Sequence, residues 1–214
     1  MIHIERSYPP PASLAEESQK ANGLYNKEDV VKRLKDDFFN KCYICELKGL
    51  QDPEVEHLLP HKNGKYPERK FDWDNLFWAC GHCNKIKNKS KYDDGILNCC
   101  KVDPEQYISQ ELSENSVSVH ALDCSDNVAT RTATLIEEAF NLRDHGIRAA
   151  ECNIRLKKLQ LEMNKLYREL RNYRKSPEKC TDRLRILLKK ESAFAGFKRY
   201  YIRNKYPELR YLLD

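Results

Sequence analysis

The chain has 214 residues, 33% of them charged, and a mean hydropathy of −0.80. That length suits one compact domain with additions or two small ones, and no stretch nears the run of ~20 apolar residues that a membrane span needs. Met1 to Pro11 holds charges and prolines but no apolar run, unlike a secretory signal, so a cytoplasmic protein with no membrane partner is expected.

The formal net charge of +5 is unevenly spread. Residues 1–92 carry 16 Lys+Arg against 14 acids, residues 93–144 carry 3 against 11, and residues 145–214 carry 19 against 8. A basic tail fits nucleic acid, and it fits an acidic protein partner nearly as well; solvated helix faces give the same composition.

Residues 1–26 read as an extended arm with Pro9, Pro10 and Pro11. From Asn26, a candidate N-cap, Val30, Val31, Leu34 and Phe38 recur at helical spacing, and this helix should end near Asn40. Residues 42–92 are short, broken and aromatic, with too little apolar length for a core of their own, so a metal staple is physically motivated. Trp73 and Trp78 are expected in a small core there. Residues 93–129 are acidic and polar, a linker or insertion with weak strand signals around Val117 to Val119.

From Thr130 the pattern is helical to the end. A short helix is expected over Thr134 to Leu142, with a break at His145 and Gly146. A long helix then runs to about Tyr173, with Ala149, Cys152, Leu156, Leu159, Met163, Leu166, Leu170 and Tyr173 three and four residues apart. That period of ~3.5 marks a seam, to be covered within the chain or by a partner. Ser176-Pro177 stops it. Leu184 to Leu188 and Phe194 to Ile202 follow as helices, and the apolar last ten residues should dock. The whole reads as an α+β protein, mainly α-helical: an N-terminal arm and helix (1–41), a small core (42–92), the acidic segment (93–129) and a basic helical region (130–214).

Nine cysteines are an odd number, and four form two C-x-x-C pairs, Cys42/Cys45 and Cys80/Cys83, separated by 34 residues. In a reducing compartment that spacing predicts a closed, structural Cys₄ zinc site with no open position for catalysis. The other five read as small hydrophobes, and His82 as a polar loop residue inside the second knuckle.

Between and around the knuckles stand Glu56-His57-Leu58-Leu59-Pro60, Asn75-Leu76 and Asn84. Phosphodiester cleavage needs a base for the attacking water, a hard cation and a basic surround. His57 is the natural base. Glu56 and Asn84 offer oxygen ligands suited to Mg²⁺ or Mn²⁺. Lys85, Lys87, Lys89 and Lys91 are candidate phosphate contacts, whereas His61 reads as a surface residue. Arg199, Tyr200, Tyr201 and Arg203 mix basic and aromatic groups in a way that suits nucleic acid or an ordinary amphipathic helix.

E-H-x-x-P, then N-L, then C-x-x-C-N-x-x-K resembles the HNH endonuclease motif of the ββα-metal fold in its zinc-knuckle variety. The resemblance implies His57 as general base, Asn75 as the brace of the hairpin, and Asn84 and Glu56 as ligands of the catalytic cation. It implies Lys87 as the trailing lysine and Cys42, Cys45, Cys80 and Cys83 as zinc ligands. Glu56 departs from the Asp usual at its position by one methylene. Tyr8-Pro9-Pro10, C-Y-I-C-E, the stretch from Arg131 to Arg148 and Phe194-Ala195-Gly196-Phe197 are similar to the PtuB-type HNH proteins, nuclease components of Septu and some retron anti-phage systems. That narrower resemblance implies a PtuA-like ABC/SMC-type ATPase as partner, and in retron versions a reverse transcriptase with its RNA–DNA product. It leaves the substrate open between DNA and a structured RNA such as tRNA. The alternative is a zinc-knuckle module that binds nucleic acid or protein without cutting.

Overall fold

Strands occur in two hairpins, one between the cysteine pairs and one in the acidic stretch; elsewhere helices dominate. The structure, a computed structural model, describes residues 1–141 and 146–213, with the side chain of Arg148 set aside. In order come α1 (Ala12–Ser18), α2 (Glu28–Asp37), β1 (Pro53–His57), β2 (Leu76–Cys80), α3 (Gly81–Lys87), β3 (Ile108–Leu112), β4 (Val117–Ala121), α4 (Asn127–Asn141), α5 (Gly146–Tyr173), α6 (Pro177–Leu188) and α7 (Ala195–Lys205). The expected mixed, mainly helical class holds, with a small ββα unit formed by β1, β2 and α3. Among the described residues no helix is long and apolar enough to cross a membrane.

The N-terminal arm is anchored rather than loose, because its few apolar residues find a core: Met1, Ile2 and Ile4 are buried. Arg6 donates to the carbonyls of Trp73 and Leu76 at 2.7 Å each, with its guanidinium over the Trp73 ring, and so ties the arm to the start of β2. The arm also contains α1. Helix α2 starts one residue later than the expected cap allows. Lys27 takes the N-cap position, no side chain caps it, and the chain leaves helical geometry at Phe38. Asp29, three residues on from Asn26, is held by Ser13 of α1, whose backbone N–H donates to it at 3.1 Å.

The acidic stretch 93–129 is not structureless. Strands β3 and β4 pair antiparallel, Ile108 opposite Ala121 and Leu112 opposite Val117. The alternation of Val117 and Val119 buries one face of β4. Its outer edge, which would otherwise expose unpaired backbone, is covered by α4: Asn141 accepts from Val117 N–H at 3.0 Å, and Glu137 accepts from Val119 N–H at 2.9 Å. Helix α4 begins well before Thr134; the expected end at Leu142 and the break at His145 lie outside the described residues.

Along α5 the seam faces inward. Cys152, Leu159, Met163, Leu166 and Leu170 are buried, with Leu156 and Tyr173 partly so, against α4 and α6. Arg199 and Arg203 of α7 both clamp the Glu105 carboxylate, Arg199 from a buried position, and so act as structural cations. Leu209, Leu212 and Leu213 dock in the core, while Tyr211 stays exposed.

Candidate nuclease site

The four knuckle cysteines converge although they come from two distant stretches. Cys42 and Cys45 sit in the turn after α2, Cys80 ends β2 and Cys83 opens α3; all are buried and unbridged, with sulfurs within 4.8 Å of one another. In a tetrahedral shell with Zn–S of ~2.3 Å, neighbouring sulfurs stand about 3.8 Å apart. The Cys45 and Cys80 sulfurs are 3.9 Å apart, so the donor set fits a structural zinc. Arg155, from the middle of α5, donates from Nη2 to Cys80 Sγ at 3.2 Å and is itself buried, paired to Glu151 at 2.6 Å. A cation against a thiolate cluster offsets its excess negative charge, as outer partners of metal ligands commonly do. His82 is buried in α3, not in a polar loop: its Nε2 lies 3.2 Å from the Ala139 carbonyl, which joins the knuckle to α4.

The knuckle thus fixes β2 and α3, and β1 follows by pairing, with Glu56 opposite Phe77 and His57 opposite Leu76. Trp73 and Trp78 are buried beside it. The long connection from β1 to β2 is closed by Asn75. Its Nδ2 donates to the carbonyls of Leu59 and Arg69 at 2.9 Å each, and its Oδ1 accepts from Leu59 N–H at 2.8 Å. One amide side chain therefore sets the path of a loop that passes over His57.

His57 ends β1, and its Nε2 lies 3.0 Å from the Lys70 carbonyl in that loop. A carbonyl only accepts, so in neutral His57 the proton sits on Nε2 and the lone pair on Nδ1. Among the described residues Nδ1 has no hydrogen-bond partner. Burial pulls the His57 pKa down to about 4, so the ring is neutral near pH 7. Tyr25, from the turn before α2, packs edge-on against the imidazole at 4.5 Å, and His61 does so at 4.9 Å. His61 is thus a half-buried cleft residue rather than a surface one. Together with Glu56, Asn84 and Lys87, these rings line a cleft of about 310 Å³.

The two candidate cation ligands differ in availability. Strand alternation puts Glu54 and Glu56 on the face of β1 that meets Asn84 and Lys87, one turn apart on α3. Glu56 is 3% exposed; its Oε1 is 2.6 Å from Lys87 Nζ, and its Oε2 accepts from Tyr43 at 2.6 Å. Lys87 also donates to the His57 carbonyl at 2.9 Å. Burial raises the Glu56 pKa, against the opposing pull of Lys87 and Tyr43. Asn84, which lines the cleft, donates from Nδ2 to Glu54 at 2.5 Å, which commits the N–H₂ end of the amide and leaves Oδ1 without a hydrogen-bond partner among the described residues. Each carboxylate oxygen carries two lone pairs, so Lys87 and Tyr43 leave each Glu56 oxygen one further position, and Glu56 with Asn84 Oδ1 makes an oxygen donor set of the kind that hard divalent cations take.

Of the lysines expected on phosphate, Lys87 is instead this buried counter-ion, because it is the nearest cation to a buried carboxylate. Lys89 reaches Glu138 of α4 at 2.9 Å, and Lys91 pairs with the same carboxylate. Lys85 alone of the four is exposed and free of an ion pair among the described residues. Tyr25, Tyr43, Glu54, Arg155 and the Lys70 carbonyl were not singled out from the sequence. Glu54 was within reach, since it lies two residues before Glu56 on the same strand face. A backbone carbonyl and a helix 70 residues downstream carry no such signal.

No curated protein matches this chain. Residues 42–90, which hold both cysteine pairs, His57, Asn75 and Asn84, match the family model described as HNH endonuclease, a likeness that supports a metal-dependent nuclease at the level of that family.

Proposed function

We propose that the chain hydrolyses phosphodiester bonds of nucleic acid, with His57 as general base. The observation that carries this is the Lys70 carbonyl on Nε2 of His57, a neutral ring that lines the same cleft as Asn84 and whose Nδ1 has no hydrogen-bond partner among the described residues. His57 Nδ1 takes the proton from water as its oxygen attacks phosphorus; the P–O bond to the leaving sugar oxygen then breaks. Asn84 through Oδ1 and Glu56 would hold a divalent cation, which supplies charge neutralisation on the phosphate and leaving oxygen when bound. Glu54 holds the Asn84 amide in the orientation that presents its oxygen. Asn75 keeps the loop, and hence the Lys70 carbonyl, on His57. The thiolate cluster takes no part in the chemistry, because four sulfurs leave zinc no open position.

The flanking resemblance to PtuB-type proteins supports a finer reading: an effector nuclease of an anti-phage system, acting on DNA or a structured RNA such as tRNA with an ABC/SMC-type ATPase. A non-specific nuclease is a hazard to its own cell, so such a partner would restrain it. The Glu56–Lys87 ion pair favours one alternative, a site whose ligand is locked and which binds without cutting. Purified protein, alone and with the ATPase, incubated with duplex DNA, single-stranded DNA and tRNA in Mg²⁺ or Mn²⁺ decides between them. Cation-dependent cutting of any one supports the nuclease; binding without cutting under every condition supports the locked site.

A further inference from the structure

Helix α5 buries one stripe and exposes another. Ile147, Ile154, Leu161 and Arg168 recur at seven-residue intervals on its outer side, with Ile154 48% and Leu161 62% exposed. Beside Leu161 the helix, the Leu47–Lys48 turn of the first knuckle and residues 192–194 enclose a groove of about 720 Å³. Its charged lining is Lys48, Lys158, Lys165 and Arg168 against one acid, Glu162. That acid is already neutralised by Lys165 at 2.5 Å and by buried Lys198 at 3.2 Å. Lys158 and Arg168 have no ion pair among the described residues.

This groove continues toward the nuclease cleft. A second groove of about 490 Å³ shares Leu47 and Lys158 with it and runs along the knuckle to Gly81, Lys85 and Glu54. Of its three acids, Glu151 is paired to Arg155 and Glu54 accepts from Asn84, which leaves Asp52 against Lys85 and Lys158. Glu54 lines this second groove and is hydrogen-bonded to Asn84, which lines the nuclease cleft.

We propose that the α5 groove binds the sugar–phosphate backbone of the nucleic acid on one side of the scissile bond. The proposal rests on the nuclease reading and deepens it. Lys158 to Arg168 is ten residues of helix, ~15 Å, long enough to lie along more than one phosphate of a strand. The lining offers charge and aliphatic surface but no exposed aromatic ring, since Phe194 is buried. It therefore holds backbone without reading bases, and sequence preference must come from elsewhere. An acidic amphipathic peptide is the rival occupant.

The test uses zinc-loaded full-length protein carrying His57→Ala, so that bound strands stay whole. Labelled 30-mers of duplex DNA, single-stranded DNA and RNA are titrated by fluorescence anisotropy over a salt series. Lys158→Glu with Arg168→Glu should weaken binding at least tenfold and flatten the slope of log K against log salt by about 1.4 to 1.8, two phosphate contacts' worth. Lys175→Glu with Lys179→Glu makes the same charge change on exposed residues outside the groove and should cost under threefold. Equal losses in the two doubles, or undiminished binding in the first, overturn the groove assignment while leaving the nuclease reading intact, and undiminished binding gives the groove to an acidic protein partner. Failure of the parent protein to bind any of the three probes would count against the nuclease reading itself, and the groove falls with it.

Discussion

Lys87 Nζ stands 2.6 Å from Oε1 of Glu56, with both side chains almost wholly out of water. Breaking such a pair by removing one partner leaves an uncompensated charge in a poorly polarisable site, at a cost of about 3–5 kcal/mol. Lys87→Met should therefore be strongly destabilised in thermal unfolding. Millimolar Mg²⁺ or Mn²⁺ should restore part of the loss by taking the vacated place. Glu56→Gln with Lys87→Met should regain stability and lose the metal response. A Lys87→Met protein as stable as its parent, or indifferent to divalent cations, would show that Glu56 does not face a cation site.

Arg155, with His82, links the basic helical region to the knuckle. Arg155→Met removes the N–H donor to Cys80 and the charge beside four thiolates. Outer-shell partners of this kind are typically worth 10- to 100-fold in metal affinity. Zinc should pass to a chromogenic chelator at least tenfold more readily than from the wild type, with helical content retained. Unchanged zinc retention would reduce Arg155 to a packing residue.

Glu54 is expected to act through Asn84. Glu54→Gln keeps an acceptor oxygen for the Asn84 amide, whereas Glu54→Leu removes it and frees the amide to rotate. Mn²⁺ binding followed by electron paramagnetic resonance should weaken about tenfold in the leucine variant and under threefold in the glutamine variant. Zinc content should be equal in both. Equal Mn²⁺ affinity in the two would mean that the carboxylate charge, not the amide orientation, is what matters, or that neither does.

The sequence revealed the four-cysteine cluster more fully than its surroundings. Cys42, Cys45, Cys80 and Cys83 were legible because a metal shell imposes spacing directly on the chain, and the α5 seam because a helix imposes its period. The β3–β4 hairpin was half legible: Val117 and Val119 alternate, but Gln110 and Ser109 are buried polar residues that mask the alternation of β3. Lys87 and Lys89 read as phosphate contacts because a lysine-rich stretch looks solvated until its carboxylate partners, Glu56 and Glu138, are placed beside it. Likewise Arg199 and Arg203 look like a nucleic-acid patch until Glu105, almost 100 residues away, is seen between them. Sequence pattern reports periodicity and ligand spacing; it is silent on ion pairs formed across the fold.

The most direct measurement is cation-dependent cleavage by wild type and His57→Ala side by side, each with zinc stoichiometry and thermal stability determined on the same preparation. The account predicts that the substitution lowers cleavage at least a hundredfold, the lower bound for a positioned general base. One zinc per chain and a near-parental melting temperature should remain, because the four sulfurs lie outside the cleft. Cleavage that survives in His57→Ala, with zinc and fold intact, would contradict it.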